Sequence, residues 1–196
     1  MTFFISGGAK CGKSALAQDL SVALAKGGKH YYVATMISTG SEDDERILRH
    51  LADRDGMGFE TVECFRSISS IADKAGTFLV DNITSLMQNA LFPPETGYEM
   101  DIQSAQRCAE EMVTFAQNVR HAVFVSDYIY SDAERYSEST QVYRKCLADA
   151  DRKLVKCCDV VIEVTAGIPI IHKGAAARRL PGLQYSPVSA ARDGYP

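Results

Sequence analysis

The stretch that decides the fold reads Phe3-Phe4-Ile5-Ser6-Gly7-Gly8-Ala9-Lys10-Cys11-Gly12-Lys13-Ser14. A short apolar run, a glycine-rich loop and a helical segment over residues 13–26 stand in the order that a phosphate-binding loop requires. The glycines let backbone N–H groups turn towards an anion, and the helix N-terminus adds unpaired N–H groups. We expect Lys13 to reach the β- and γ-phosphates of a nucleotide and Ser14 to bind Mg²⁺ through its hydroxyl. The alternative is a chance glycine-rich turn.

Short apolar runs alternate with helix-like segments along the rest of the chain. Buried strands are predicted over residues 3–6, 31–35, 77–81, 122–126 and 160–165. Helices are predicted over residues 13–26, 43–55, 101–117 and 137–157, and residues 168–172 as an edge strand forming a hairpin with 160–165. This alternation predicts an α/β fold with a mostly parallel central sheet and helices on both faces. Residues 1–174 are expected to form one nucleotide-binding and catalytic domain, and residues 175–196 a C-terminal tail on the surface.

Composition and charge exclude several classes of protein. The 196 residues are 46% hydrophobic and 23% charged, values that exclude a disordered, collagen-like or coiled-coil chain. A net charge of −4 argues against a general nucleic-acid binder. No apolar run has the length of a membrane span, and the N-terminus lacks the pattern of a signal peptide, so we expect a cytoplasmic protein. The six cysteines contain no CxxC pair and predict neither a zinc site nor a disulfide framework.

A carboxylate at the end of a second strand would complete a magnesium site. Asp81 closes the apolar run of residues 77–81 and stands beside Asn82 and Thr84. In P-loop enzymes such a carboxylate helps to hold the cation, so Asp81 joins Ser14 as a predicted magnesium ligand. The alternative is that Asp81 caps a helix beginning near Thr84.

The helix predicted over residues 43–55 carries His50 on a polar face. The other members of that face are Arg46, Asp53 and Arg54. The apolar residues of this helix fall on a different face suited to packing: Ile47, Leu48 and Leu51. Two arginines and an imidazole on one face would suit a triphosphate, and the alternative is an ordinary charged surface.

Together these motifs resemble the bifunctional adenosylcobinamide kinase / adenosylcobinamide-phosphate guanylyltransferase family of cobalamin biosynthesis. The resemblance covers about residues 1–174, and its most specific element is Arg46-Ile47-x-x-His50. The matching pieces beside the phosphate loop are Tyr32-Val33-Ala34-Thr35, Asp44-Glu45-Arg46-Ile47-Leu48-Arg49-His50, Glu60-Thr61-Val62-Glu63, Leu79-Val80-Asp81-Asn82-Ile83-Thr84 and Thr165-Ala166-Gly167-Ile168-Pro169. The chain departs from the family over residues 127–135. Where the family usually carries Asn-Glu-Val-Gly, this chain has Asp127-Tyr128-Ile129-Tyr130.

The resemblance implies a RecA-like P-loop fold and two reactions. In the first, an NTP γ-phosphate passes to the aminopropanol hydroxyl of adenosylcobinamide. In the second, GTP guanylylates a histidine, which His50 matches, and the GMP passes on to give adenosyl-GDP-cobinamide. The family's nucleotide contacts carry over to the loop residues Gly7, Gly8, Ala9, Lys10, Cys11, Gly12, Lys13 and Ser14, and to Thr35, Asp53, Arg54, Glu63 and Asp81. His50 and Lys13 are then the expected catalytic residues.

The resemblance also implies Mg²⁺ as cofactor, ATP and GTP as substrates, a corrinoid acceptor and a homo-oligomer. From the charge and the short apolar runs we expect no nucleic-acid partner and no stable membrane insertion. Two other readings stay open on the residues alone. One is a different P-loop small-molecule kinase in which His50 only contacts phosphate. The other is a non-catalytic NTP-binding module, which the departure over residues 127–135 favours.

Overall fold

The computed structural model describes residues 1–174 together with residues 177, 179, 180 and 183. Its strands are β1 (Thr2–Gly7), β2 (His30–Ala34), β3 (Glu60–Glu63), β4 (Thr77–Asp81), β5 (His121–Asp127), β6 (Val160–Thr165) and β7 (Ile168–Lys173). They form one sheet in the order β3-β2-β4-β5-β1-β6-β7. Strands β1 to β6 pair in parallel, and β7 pairs antiparallel with β6. The predicted mostly parallel sheet and its closing hairpin are therefore confirmed.

Over residues 1–174 the chain also forms five helices. They are α1 (Lys13–Ala25), α2 (Ser41–Asp53), α3 (Ile83–Leu91), α4 (Ile102–Asn118) and α5 (Glu138–Cys157). In the same range, short 3₁₀ turns cover Ile68–Ile71 and Pro94–Thr96. Helices α3, α4 and α5 share one hydrophobic cluster with one face of the sheet, whereas α1 packs in a second cluster on the other face.

The central strands are buried on both faces because their successive side chains enter different clusters. In β4, Phe78 and Val80 pack with α3 and α4, while Leu79 points into the cluster that contains α1. A continuous apolar run is the pattern that such a strand requires. Strand β3 was not predicted from the sequence. It is a short edge strand and largely exposed, with Val62 as its one partly buried residue, so it lacks the apolar run by which the other strands were recognised.

Helix α2 differs from the prediction in how it packs. None of its residues is buried, and the side chains of Leu48 and Leu51 are 64% and 43% exposed. The expectation that these two leucines pack inwards is therefore wrong. The amphipathic spacing predicts an apolar face but not a partner for it, and the four other helices already cover the two clusters of the sheet.

The C-terminal part of the chain is described only in places. Ala177 and Leu183 are 2% and 1% exposed and belong to the cluster that contains α1. The remainder of the predicted tail over residues 175–196 lies mostly outside the described residues, and the domain boundary at residue 174 stays a prediction. No helix in the described part of the chain has the length and hydrophobicity needed to span a membrane.

An aromatic cluster links α4 to the sheet and supplies the first testable prediction. The ring of Phe115 lies 5.0 Å from that of Phe78 and 6.4 Å from that of Phe124, both edge-to-face. Because Phe115 is fully buried, Phe115→Ala should lower the free energy of unfolding by about 3–5 kcal/mol in chemical denaturation. Tyr98→Ala is the control, since Tyr98 is 60% exposed and its loss should cost little. Equal losses in both variants would contradict this packing.

Candidate functional site

The loop between β1 and α1 has the backbone of a phosphate cradle. Gly12 adopts a φ of 96°, a left-handed conformation that favours glycine, at the N-cap of α1. Gly7 is required for space, because an added Cβ would lie 2.5 Å from Cys11 Sγ and 2.6 Å from the Val164 carbonyl oxygen. Ala9, Lys10 and Gly12 are exposed, so the loop is open to a ligand.

Lys13 is buried at the base of this loop and already has two partners. Its ammonium group donates a hydrogen bond of 3.0 Å to the Gly8 carbonyl and lies 2.6 Å from Asp127 Oδ1. Asp127 ends β5, the strand next to β1 in the sheet. The sequence analysis did not place Asp127 in the site. The available signal was the one used for Asp81, an acidic residue at the carboxyl end of a central strand.

Asp81 lies at the carboxyl end of β4, facing the same site. Its carboxylate accepts a hydrogen bond of 3.2 Å from the Tyr32 hydroxyl. Burial raises the pKa of the Asp81 carboxyl above its usual value, and Asp127 raises it further, whereas His50, Tyr32 and Ser14 lower it. His50 and Ser14 are thus both close to this carboxylate.

The cap of α3 is Asn82 rather than Asp81. Asn82 Oδ1 accepts a hydrogen bond of 2.9 Å from the backbone N–H of Ser85, which is the usual geometry of an N-cap. The alternative that Asp81 is present to cap this helix is therefore wrong, and its carboxylate is available for the site.

Tyr32 is a second residue that the sequence analysis missed. Burial and the Asp81 carboxylate raise the pKa of its hydroxyl, so the phenol stays protonated and donates to Asp81. The guanidinium of Arg54 lies 3.9 Å from the centre of the Tyr32 ring. No sequence pattern indicates this contact, because an aromatic residue in a buried strand is ordinarily part of the core.

Arg54 ties the C-terminal end of α2 to the sheet. It is only 7% exposed, and it donates hydrogen bonds of 2.7 Å to the His50 carbonyl and 3.1 Å to Thr61 Oγ1. Its guanidinium therefore turns inwards, away from the exposed face that also carries Arg46. These contacts fix the turn of α2 on which His50 lies.

His50 is partly buried near the C-terminal end of α2. Its Nδ1 is a buried polar atom with no hydrogen-bond partner among the described residues. A buried imidazole nitrogen without a partner is unusual, because most buried polar groups are satisfied. The structure thus brings His50, Asp81, Ser14 and Lys13 to one edge of the sheet.

The other predicted nucleotide contacts, Thr35, Asp53 and Glu63, differ in how far they are buried. Thr35 is fully buried and bridges the ends of β2 and β4, donating 2.7 Å to the Asn82 carbonyl and accepting 2.9 Å from its N–H. Asp53 and Glu63 are exposed, Asp53 at the end of α2 and Glu63 at the end of β3. Of these three, Thr35 alone directly joins the Asp81–Asn82 turn.

Side chains of α5 hold the segment that follows β5 through hydrogen bonds. Asp151 on α5 accepts hydrogen bonds of 2.8 Å from both Ser126 Oγ and the Tyr130 hydroxyl. Arg144, about two turns earlier on the same face of α5, donates to the carbonyl of Ile129 at 3.1 Å. Burial raises the pKa of the Asp151 carboxyl to about 6, and its second oxygen has no partner among the described residues. The buried carboxylate of Asp151 therefore holds the end of β5 and the start of the segment over residues 127–135, which departs from the family pattern.

Comparison with protein families gives one match over most of the chain. The family model described as cobinamide kinase / cobinamide phosphate guanyltransferase matches residues 3–171. A search of curated proteins gives no match.

Two of the solved structures similar to this chain are described as ATPases. An ATPase from the type III secretion system of pathogenic bacteria has a TM-score of 0.50 and 11% identity, with 92% of this chain and 54% of that chain covered. The ATPase domain of G40P has a TM-score of 0.47 and 10% identity, covering 83% of this chain and 68% of that one. The flagellar accessory protein FlaH from Methanocaldococcus jannaschii has a TM-score of 0.43 and 13% identity, with coverages of 83% and 70%. At these identities the likeness concerns the fold, and the RecA-like P-loop fold is confirmed.

The buried carboxyl of Asp151 gives a pH-dependent prediction. Its pKa is about 6 in the folded chain against about 3.9 in an unfolded one, so the folded state binds its proton more tightly. As pH rises from 5 to 7, this group should therefore cost about 1 kcal/mol of stability. Denaturation of the wild type and Asp151→Asn at both pH values isolates the effect. The wild type should gain about that amount relative to the variant at pH 5, and a pH-independent difference would contradict it.

Proposed function

Because the chain belongs to the cobinamide kinase / cobinamide phosphate guanyltransferase family, we propose that its two reactions share the nucleotide site at the carboxyl edge of the sheet. In the first reaction, the γ-phosphate of a nucleoside triphosphate passes to the aminopropanol hydroxyl of adenosylcobinamide. In the second, GMP passes from GTP through a guanylyl-histidine to that phosphate, giving adenosyl-GDP-cobinamide. The observation that carries this proposal is that His50 has a buried, unpartnered Nδ1 on the turn of α2 that Arg54 ties to the sheet, and that its charge acts on the carboxyl of Asp81.

The phosphate loop binds the triphosphate of ATP or GTP in this scheme. Backbone N–H groups of residues 8–13 and the N-terminus of α1 face the phosphates, and Lys13 supplies a positive charge to the β- and γ-phosphates. Lys13 contacts Asp127 and the Gly8 carbonyl. A phosphate bound in the loop would compete with the Asp127 carboxylate for the lysine.

Ser14 and Asp81 are the proposed ligands of Mg²⁺. A hydroxyl and a carboxylate are oxygen donors of the kind that Mg²⁺ prefers, and the cation usually completes its shell with phosphates and water. The described residues contain no cluster of three His, Cys, Asp or Glu arranged to hold a metal. When bound, Mg²⁺ would neutralise charge on the phosphates during transfer.

His50 is the proposed acceptor of GMP. A neutral imidazole nitrogen attacks the α-phosphorus of GTP, a P–N bond forms, and the bond to the β-phosphate oxygen breaks to release pyrophosphate. A phosphate oxygen of cobinamide phosphate then attacks the same phosphorus, and the electrons of the P–N bond return to the imidazole. The tether of Arg54 to the His50 carbonyl supports this role because it orients the last turn of α2.

Thr35, Asp53, Arg54 and Glu63 complete the proposed nucleotide site. Asp53 and Glu63 are exposed and can reach a nucleoside directly. Arg54 and Thr35 are buried and hydrogen-bonded. Their contribution is to position the backbone at His50 and at Asn82, respectively. The corrinoid would approach from the open side of the loop, over the segment after β5.

We also propose that the chain works as a cytoplasmic homo-oligomer. The cytoplasm supplies both nucleoside triphosphates, and the described cysteines are all free thiols. The exposed Leu48 and Leu51 on α2 are apolar surface that a second subunit could cover.

Replacing the proposed nucleophile tests the function most directly. His50→Ala should lose GMP transfer while retaining phosphorylation of cobinamide, because the γ-phosphate chemistry relies on Lys13, Ser14 and Asp81. Protein incubated with α-labelled GTP and freed of nucleotide should carry label that acid removes and alkali does not, as a phosphoramidate requires. His172→Ala is the matched control, since His172 is an exposed residue of β7 bonded to Glu163. Alkali-stable label on His50→Ala would identify another nucleophile, and an unlabelled wild type would contradict the guanylyl-histidine.

Asp81→Asn should raise the magnesium concentration needed for half-maximal activity more than it weakens nucleotide binding. The amide keeps the size of the side chain and can still accept from Tyr32, but it loses the negative charge that attracts the cation. Activity is measured across a magnesium titration, with the exposed Asp19→Asn on α1 as the control. An unchanged titration would contradict the metal role of Asp81.

A further inference from the structure

A second carboxylate, that of Asp127, contacts Lys13 of the phosphate loop and has no role in the two reactions as proposed so far. We propose that Asp127 is the catalytic base of the phosphoryl-transfer step, accepting the proton of the acceptor hydroxyl as that oxygen attacks the γ-phosphate. The inference rests on the proposed function and deepens it by assigning a residue from the segment that departs from the family pattern.

The position of Asp127 follows from the strand register. Strand β5 lies between β1 and β4, so its carboxyl end is flanked by the phosphate loop on one side and by the Asp81 turn on the other. Asp127 pairs with Gly7, the residue at which the loop begins, and Val125 pairs with Asp81. Asp127 therefore extends about two residues beyond Asp81, towards the ligand side of the edge.

The Asp127 side chain is held from two directions. Oδ1 lies 2.6 Å from the Lys13 ammonium, and Oδ2 accepts a hydrogen bond of 2.9 Å from Asn82 Nδ2. The backbone N–H of Asp127 donates 3.1 Å to Thr84 Oγ1, which fixes the main chain as well. The side chain remains 19% exposed, so a substrate can reach it. Preorganisation of this kind is what a base needs in order to meet a substrate at hydrogen-bond distance.

Nucleotide binding would change the surroundings of Oδ1. Lys13 is the residue that contacts the β- and γ-phosphates, so a bound triphosphate competes with Asp127 for its ammonium group. Once the Lys13 ammonium binds the phosphates, Asp127 Oδ1 would no longer be paired with it and would lie near the terminal phosphate. A carboxylate there is repelled by the phosphate unless a hydrogen-bond donor stands between them. The attacking hydroxyl is such a donor, and its O–H bond would point at Oδ1.

The step balances in atoms and charge. The hydroxyl oxygen forms a bond to the γ-phosphorus, and its proton moves to Asp127 Oδ1. The bond between the γ-phosphorus and the bridging oxygen breaks, and its electron pair stays on the nucleoside diphosphate. The protonated Asp127 then returns its proton to solvent when the products leave.

Asp127→Asn separates this role from a structural one. The amide has the same shape, and its oxygen can still accept from Asn82, so the fold should persist. We expect kcat for phosphorylation of adenosylcobinamide to fall by about 10²–10⁴-fold, the usual contribution of a general base. Nucleotide affinity, measured by calorimetric titration of GTP, should be unchanged or tighter because Lys13 loses a competing partner. GMP transfer from GTP to preformed adenosylcobinamide phosphate should stay near the wild-type rate.

Glu134→Gln is the matched control, an exposed carboxylate on the same segment that does not contact Lys13. It should retain the wild-type rate in both reactions. If Asp127→Asn alters GTP affinity but leaves kcat for phosphorylation intact, Asp127 only holds Lys13 and the base role is wrong. If both reactions fall together, the residue acts on nucleotide positioning and the base role is again wrong. A wild type that phosphorylates no cobinamide would overturn the proposed function itself, and the base role for that acceptor with it.

Discussion

The site depends on the parallel alignment of β4, β5 and β1, whose carboxyl ends meet at one edge of the sheet. Parallel strands present their ends on the same side, and open α/β sheets bind ligands there. In this chain the three ends contribute Asp81, Asp127 and the phosphate loop, in that spatial order. Burial of the strands on both faces fixes this alignment, because a shift of one residue would send each side chain into the opposite cluster.

The charges at this edge are arranged around one lysine. Lys13 is buried between a carbonyl and the carboxylate of Asp127, and a second carboxylate, Asp81, is desolvated at the end of the neighbouring strand β4. Asp81 and Asp127 raise the negative charge at this edge, and a magnesium ion bound there would offset it. The hydrogen bonds of Tyr32 to Asp81 and of Asn82 to Asp127 keep the two carboxylates in separate positions. The neutral donors around the carboxylates thus matter as much as the charged groups.

The local parts of the structure could be predicted from the sequence. The phosphate loop, the buried strands and the closing hairpin each have a pattern that is contained within a few residues. The contacts of Tyr32, Asp127 and Asp151 could not be predicted, because each depends on which strands are neighbours in the sheet. Helix α2 is a case in which the sequence predicted a contact that the structure does not have. Its amphipathic spacing indicates a face for packing, but Leu48 is 64% exposed. The assignment of His50 came from family resemblance, since its polar surroundings alone are typical of an exposed helix.

The attachment of α2 at one end has a mechanical consequence. Arg54 anchors the C-terminal end of the helix by its contacts with Tyr32 and Thr61, whereas none of the thirteen residues of the helix is buried. At a rise of ~1.5 Å per residue, His50 lies about 6 Å from that anchor and Ser41 about 20 Å from it. A 20° swing about the anchor would carry Ser41 through about 7 Å but His50 through only about 2 Å. A tilt of α2 about this end would therefore displace His50 less than any residue nearer the N-terminal end of the helix.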